Sequence, residues 1–409
     1  MNIGFIQITR GQRYKYFLKN KIKRGKFLTK HSIFWHECWE IDSKMSNNIK
    51  KELNFRAIIC EFPKKYVPLT AFYWLSTGKN IIFKDCKMEY HVPVMLNECL
   101  EGLNIRPDGI YVDVTFGGGG HSRAILQQLG PKGHLYSFDQ DPDAEKNIFS
   151  VECGMRSVEL PENFTFIRSN FRYLKNWMRY HNVKHIDGLL ADLGVSSHHL
   201  DDAERGFAFR FDAPLDMRMN TRAGRTAADI LQEADEQELT RIFTLYGELR
   251  QARRMAQAIV KRRQQKAIAT TGDLMEVVKP MISPKAEKKE LAQVFQALRI
   301  EVNHEMQALE EMLKSAVELL TPPDKNGENA GRLVVMTYHS LEDRIVKNVI
   351  KSGKADGQVE KDFYGRVIAP LKAVNNKVID ASEEEVEKNP RSRSAKLRIA
   401  EKLCESKNT

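Results

Sequence analysis

Several large protein classes are excluded by what this sequence lacks. No apolar run approaches the ~18 residues a membrane helix needs. The first ten residues, Met1-Asn-Ile-Gly-Phe-Ile-Gln-Ile-Thr-Arg10, hold neither a signal-peptide core nor a small-residue cleavage site. Only 6 cysteines occur in 409 residues, and no two form a CxxC pair. That excludes a disulfide framework and a zinc ribbon, and it reads as reduced thiols in the cytoplasm. No metal-ligand set is expected.

An acidic excess is missing too. The net charge is +10, but the basicity is confined to one end. Residues 1–87 hold 18 Lys/Arg against 6 Asp/Glu, while residues 88–409 hold 46 against 48. The larger part therefore cannot hold a polyanion by bulk charge and needs a local basic face. Residues 1–87 show no sustained period. They read either as a basic arm for RNA phosphates or as sequence upstream of a true start at Met88.

What is present is alternation. With 42% hydrophobic and 29% charged residues, the chain has room for two or three globular domains. After Met88, short apolar runs predict strands at 109–116, 133–139, 164–169, 186–193 and 332–338. Helical stretches at 122–129, 142–149 and 173–180 separate them. Strand–helix alternation implies a doubly wound α/β fold, a mostly parallel sheet with helices on both faces. Late strands at 366–371 and 394–399 would add an antiparallel edge hairpin.

Between Leu200 and Leu320 the strand signal stops. Helical spacing covers 227–232, 236–246, 249–263, 274–278 and 291–319, which predicts a helical insertion before the fifth strand. The expected parts are an extension (1–87), a first sheet segment (88–204), the insertion (205–320) and a second sheet segment (321–409). In the 249–263 helix, Ala252, Met255, Ala256, Ile259 and Val260 make one apolar stripe. Arg250, Arg253, Arg254, Lys261, Arg262 and Arg263 surround it. That basic helix is either a nucleic-acid surface or an ordinary solvated face.

The chemistry concentrates where strands end. Asp113-Val-Thr-Phe-Gly-Gly-Gly-Gly-His121 closes the first strand, and Asp139 closes the second. Glycines let backbone approach a ligand, and an acid about 20 residues on accepts bonds from ribose hydroxyls. This is how such folds hold an adenosine-bearing cofactor. Asp192, in Asp192-Leu-Gly-Val-Ser-Ser197, closes the fourth strand and would face the ligand crevice. His339 projects from the fifth strand end as a weaker catalytic candidate. Ser340 with Asp343 fits the cap of a following helix.

These stretches, with Leu200-Asp-Asp-Ala-Glu-Arg-Gly-Phe207, Pro214-Leu-Asp-Met-Arg-Met219, Phe295-Gln-Ala-Leu-Arg-Ile300, His339-Ser-Leu-Glu-Asp-Arg-Ile-Val-Lys347 and Asn389-Pro-Arg-Ser-Arg-Ser394, resemble the bacterial RsmH (MraW) family from about Tyr90 to Glu401. The resemblance implies a Rossmann-like class I methyltransferase sheet. It implies S-adenosyl-L-methionine as cofactor and the exocyclic N4 of a cytidine in 16S ribosomal RNA as target, within a small ribosomal subunit particle. It implies cofactor contacts from Gly119, Gly120, His121, Asp139, Phe171, Asp192 and His199. His199 stands where the family often has Gln, and Ala213 where it often has Gly. The chemistry needs an acceptor for an amino proton, and Asp192 is the first candidate. RNA contacts are expected from Arg205, Arg210, Arg218 and the 250–263 helix. An NAD-dependent oxidoreductase would explain the glycine loop and Asp139, but not the Asp192 motif or the insertion. A non-catalytic ribosome-assembly factor on the same fold, or a different nucleic-acid substrate, remains open to the residues alone.

Overall fold

The computed structural model describes residues 93–148, 161–375 and 377–404. The basic extension at 1–87 lies outside the described residues. The elements, in order, are α1 (Leu96–Leu103), β1 (Ile110–Asp113), α2 (Gly120–Gln128), β2 (His134–Asp139), β3 (Phe164–Arg168), α3 (Leu174–Tyr180) and β4 (Gly188–Asp192). A helical series follows: α4 (Ser197–Asp201), α5 (Ala227–Glu233), α6 (Glu236–Leu245), α7 (Ala252–Arg263), α8 (Thr271–Val278), α9 (Glu287–Asn303) and α10 (Glu305–Leu319). The sheet resumes with β5 (Arg332–Thr337), α11 (Ser340–Ser352), β6 (Leu371–Ala373), β7 (Ile379–Asp380), α12 (Glu383–Lys388) and β8 (Lys396–Lys402).

The sheet order is β3-β2-β1-β4-β5-β8-β6, with β7 also paired to β8. β1 to β5 are parallel, and β8 runs antiparallel to β5 over six residue pairs. Strand order reverses between β1 and β4. Ligands of open α/β sheets bind at such a switch point, outside the carboxyl ends of the strands. Asp113, Asp139 and Asp192 end β1, β2 and β4, so all three lie along that edge.

Apolar residues fill both faces of the sheet, which is why the strands read as near-continuous hydrophobic runs. On one face Leu189, Leu333 and Val335 pack with Leu174 of α3, Met312 of α10 and Val346 of α11. On the other, Leu190, Val334 and Leu135 pack with Cys99 of α1 and Ile125 of α2. A separate core joins α5 to α9 through Leu231, Phe243, Met255, Leu274 and Leu298, all fully buried. Capping boxes at Thr226/Asp229 and Thr270/Asp273 start α5 and α8 and satisfy amides that water would otherwise need to reach.

Four expectations change. The 142–149 helix is a single 3-10 turn, Ala144–Asn147, as far as the described residues go. The 291–319 helix is two helices, broken at His304 in the left-handed region (φ 50°). Its second half, α10, packs on the sheet, so the helical core ends with α9. The late strands do pair antiparallel at the β5 edge, as β8 and β6, but the first begins at Leu371 and not at 366, and β7 and α12 lie between the two, so no tight hairpin joins them. Finally, the cap of α11 is His339 and not Ser340. His339 Nδ1 faces the Glu342 amide at 3.5 Å, while Ser340 Oγ donates to Glu248 and Asp343 pairs with Arg398. Extended backbone ends at His339, so the helix starts one residue earlier than the S-x-x-D pattern suggests.

Candidate active site

The glycine turn after β1 is built by its own backbone. Gly117 (φ 50°) and Gly119 (φ 72°) take left-handed conformations that L side chains rarely adopt. A Cβ at Gly119 would meet the Phe116 ring at 2.7 Å, and one at Gly120 would overlap the Pro93 ring. A Cβ at Gly118 would meet nothing within 4 Å. The turn is therefore tight on its protein side and open on the other. Gly119→Ala is expected to cost about 1–3 kcal/mol, from the strained φ and the overlap. Gly118→Ala should leave the thermal midpoint unchanged. Thermal unfolding of the two variants checks this.

Asp113 locks the turn to the sheet. Its Oδ2 accepts from Ser122 Oγ at 2.6 Å, and its Oδ1 accepts from the Thr115 amide at 3.0 Å. Thr115 Oγ1 then accepts the Asp192 amide at 2.7 Å, which ties the β1 turn to the end of β4. Neither Thr115 nor Asp113 was expected in a site role. Their signal was only that they flank the glycines.

Asp139 accepts the Gly117 amide through Oδ2 and the Asp141 amide through Oδ1, both at 2.8 Å. Burial pushes its carboxyl up to about 6, against the pull of those two amides. Two residues on, Asp141 goes the other way. Burial would raise it, but His199, the Asp143 amide and Arg205 together hold it down to about 2.

His199 does not open onto the crevice. Its Nδ1 accepts the Ser196 amide at 3.3 Å, so Nε2 carries the proton and donates to Asp141 at 2.5 Å. Its ring stacks on Phe207 with centroids 4.9 Å apart. Arg205 joins the same cluster, reaching Asp141 and the carbonyls of Arg218 and Met219. Arg205 is only 7% exposed, which removes it from the expected RNA surface. Arg218 is forked to Asp216. On α7, Arg253 pairs with Glu236, Arg262 with Glu276, and Arg263 donates to the carbonyls of Leu231 and Ala234. Arg210, Arg250, Arg254 and Lys261 remain exposed. Ala213 needs no positive φ; the left-handed residue of its loop is Met217 (φ 59°).

Asp192 sits at the end of β4 with its side chain 25% exposed. Its Oδ1 accepts the Tyr338 hydroxyl at 2.7 Å, and its Oδ2 faces His121 Nδ1 at 4.0 Å. His121 Nε2 donates to the Val94 carbonyl at 3.1 Å, which fixes the ring. Burial raises the Asp192 carboxyl above its ordinary range, while His121 and Tyr338 oppose the rise. The same pairing and burial push the Tyr338 hydroxyl far up, so it remains a donor. Tyr338 was not foreseen, although it directly precedes the singled-out His339. Phe171 starts the turn after β3 and lines a crevice with Thr115, Gln140, Asn170, Leu193 and Gly194. The far wall of that crevice comes from the α9–α10 junction and Glu342. His339 is placed behind that wall, against Glu342, and not in the crevice itself.

A mostly parallel sheet with a glycine turn after β1 and an acid at the end of β2 and of β4 is the architecture of a Rossmann-like class I methyltransferase. The particular group follows from sequence. Residues 88–403 match the model of the MraW methylase family, and the chain belongs to that family. A ribosomal RNA small subunit methyltransferase H from Phocaeicola vulgatus is 61% identical over 318 residues, spanning 78% of this chain and 99% of the relative. Proteins of the same name from Parabacteroides distasonis and Porphyromonas gingivalis are 62% and 55% identical, over 77% and 78% of this chain and 98% and 99% of theirs. Among solved structures, a methyltransferase homolog protein from Pyrococcus horikoshii is 13% identical, with a TM-score of 0.33 over 75% of this chain and 66% of its own.

Proposed function

We propose that this chain is an S-adenosyl-L-methionine-dependent methyltransferase acting on the exocyclic N4 of cytosine 1402 in 16S ribosomal RNA. The observation that carries the reading is Asp192, a partly exposed carboxylate at the end of β4 beside the switch point, directly before the crevice-lining Leu193 and Gly194 and oriented by the Tyr338 hydroxyl. The relatives at 55–62% identity support the ribosomal substrate. A small ribosomal subunit particle in the cytoplasm is the setting we propose. Among the described residues, no helix is long and apolar enough to cross a membrane.

The residues fit a nucleoside-bearing cofactor. Gly118 leaves open space beside the turn, and the Asp139 carboxylate stands where ribose hydroxyls could donate to it. We assign Gly119, Gly120 and His121 to the turn that cradles the cofactor, Phe171 to the adenine side and Asp139 to the ribose. His199 contributes by holding Asp141, the neighbour of Asp139. When bound, the cofactor supplies a sulfonium methyl that is already strongly electrophilic.

The chain must solve the problem of the nucleophile. The cytosine N4 lone pair is delocalised into its ring. A carboxylate accepting an N4 hydrogen favours a pyramidal nitrogen and takes up a proton as the new bond forms. Burial makes Asp192 a better proton acceptor than a solvated aspartate. Tyr338 fixes its direction, and crevice walls align the reacting atoms. The base must leave its stack to reach this pocket. Exposed Arg210, Arg250, Arg254 and Lys261 are the proposed phosphate contacts.

Cofactor affinity should depend on pH through Asp139. Its raised folded-state value means protonation stabilises the empty protein, a contribution fully present below about 4 and lost as pH rises through about 6. Ribose hydroxyls need the ionised form. Cofactor Kd should therefore weaken as pH falls through about 6, by at most about tenfold per pH unit for one linked proton. Calorimetric titration across this range checks the slope, and Asp139→Asn should flatten it.

The reading is tested by incubating purified protein with methyl-labelled cofactor and either naked 16S RNA or small-subunit particles from cells lacking the gene. Label in one cytidine supports it, and the preferred substrate form separates RNA from particle. Label in neither contradicts it.

A further inference from the structure

The end of β5, the start of α11 and the α9–α10 junction bring three metal-ligating side chains together. Glu305, His339 and Glu342 each place one donor atom within 4.8 Å of the others. Glu305 is the first residue of α10, just beyond the left-handed break at His304. His339 and Glu342 are the cap and first turn of α11, with side chains only 9% and 3% exposed.

Two observations leave this cluster incomplete. His339 Nε2 is buried and makes no well-formed hydrogen bond, with Glu342 Oε1 3.1 Å away. The charges are also unbalanced. The single guanidinium of Arg299 is forked onto Glu305 at 2.9 Å on both arms. Glu342 Oε2 receives only the Tyr338 amide, at 3.0 Å. Arg299 is thus committed to Glu305, and among the described residues Glu342 has no Lys or Arg ion pair and faces the His339 ring instead, a water-poor setting that favours a further positive charge.

We propose that Glu305, His339 and Glu342 bind one divalent first-row metal ion. One imidazole with two carboxylates suits ions of the manganese-to-zinc range and lacks the oxygen-only set of magnesium or calcium. An ion on Nε2 places the ring proton on Nδ1, so the long 3.5 Å contact to the Glu342 amide opens on binding. The ion ties the α9–α10 junction to α11, and both sides of that tie line the crevice. It stiffens that wall of the crevice. Sequence spacing gave no sign of the site, because α10 and β5 separate Glu305 from His339.

The test does not rest on methyl transfer. Full-length protein freed of metal by chelation is titrated with manganese(II) or zinc(II) chloride alone by calorimetry. Pulsed electron paramagnetic resonance of the manganese complex then looks for coupling to a ring nitrogen. The expected result is one ion per chain with nitrogen coupling. His339→Gln should lose affinity beyond the ~10–100-fold that loss of a merely supporting residue costs. Glu342→Gln should weaken binding likewise. Absence of saturable binding, a bound manganese without nitrogen coupling, or unchanged affinity in a folded His339→Gln each overturns the proposal. If His339→Gln fails to fold, the nitrogen coupling of the wild-type chain decides. None of these failures bears on whether the chain methylates RNA.

Discussion

Asp192→Asn is expected to lower kcat by about 10²–10⁴-fold, the range that removal of a positioned proton acceptor costs, while cofactor affinity stays close to that of the wild type. The amide keeps the shape of the carboxylate and can still accept the Tyr338 hydroxyl. What it loses is the ability to take a proton from the target nitrogen. If Asp192 served only to hold the cofactor, the split would reverse, with a weaker Kd and a nearly intact kcat at saturation. The substitution also removes a buried negative charge whose carboxyl is pushed up by desolvation. The folded protein should therefore lose little stability, and an unchanged thermal midpoint checks that a fall in kcat does not come from unfolding. Single-turnover methylation with saturating cofactor, set beside calorimetric cofactor binding, separates the two roles.

Asp139→Ala is expected to weaken cofactor binding by about 10²–10⁴-fold. Two ribose hydroxyls donating to a carboxylate contribute about 1.5–3 kcal/mol each, as charge-assisted bonds do. The alanine also frees the amides of Gly117 and Asp141, which Asp139 now accepts. Some of the loss then comes from a looser glycine turn. Asp139→Asn isolates that part, since its one remaining carbonyl oxygen can hold an amide while the charge is gone. An affinity loss in both variants, larger for alanine, is the expected pattern. Unchanged affinity in both would remove Asp139 from the cofactor site.

The strand ends were the legible part of this molecule. β1, β2, β4 and β5 are short, apolar on both faces and punctuated by an acid or glycine, so pattern and position agree. The helices of the insertion were visible for the same reason, since their buried stripes repeat at helical spacing. Local chemistry was less legible where tertiary contacts override it. Nothing in Val302-Asn-His-Glu305 announces that His304 turns left-handed and splits one helix into two. Arg205 reads as a surface cation, yet the fold buries it against Asp141 and two carbonyls. His199 reads as a ligand contact, yet both its ring nitrogens are engaged by Ser196 and Asp141. Tyr338 could not be linked to Asp192, because the contact crosses 146 residues and exists only once β4 and β5 lie side by side. Charge counts in sequence tell how many cations a helix has, but not which of them are already paired.

The central claim is tested most directly by mass spectrometry of 16S ribosomal RNA from cells with the gene deleted and from the same cells complemented with wild-type or Asp192→Asn protein. The account predicts that one N4-methylated cytidine disappears on deletion, returns with the wild-type chain and fails to return with Asp192→Asn. Persistence of that methyl group in the deletion strain would contradict the substrate assignment, and its full return with Asp192→Asn would contradict the role given to the carboxylate.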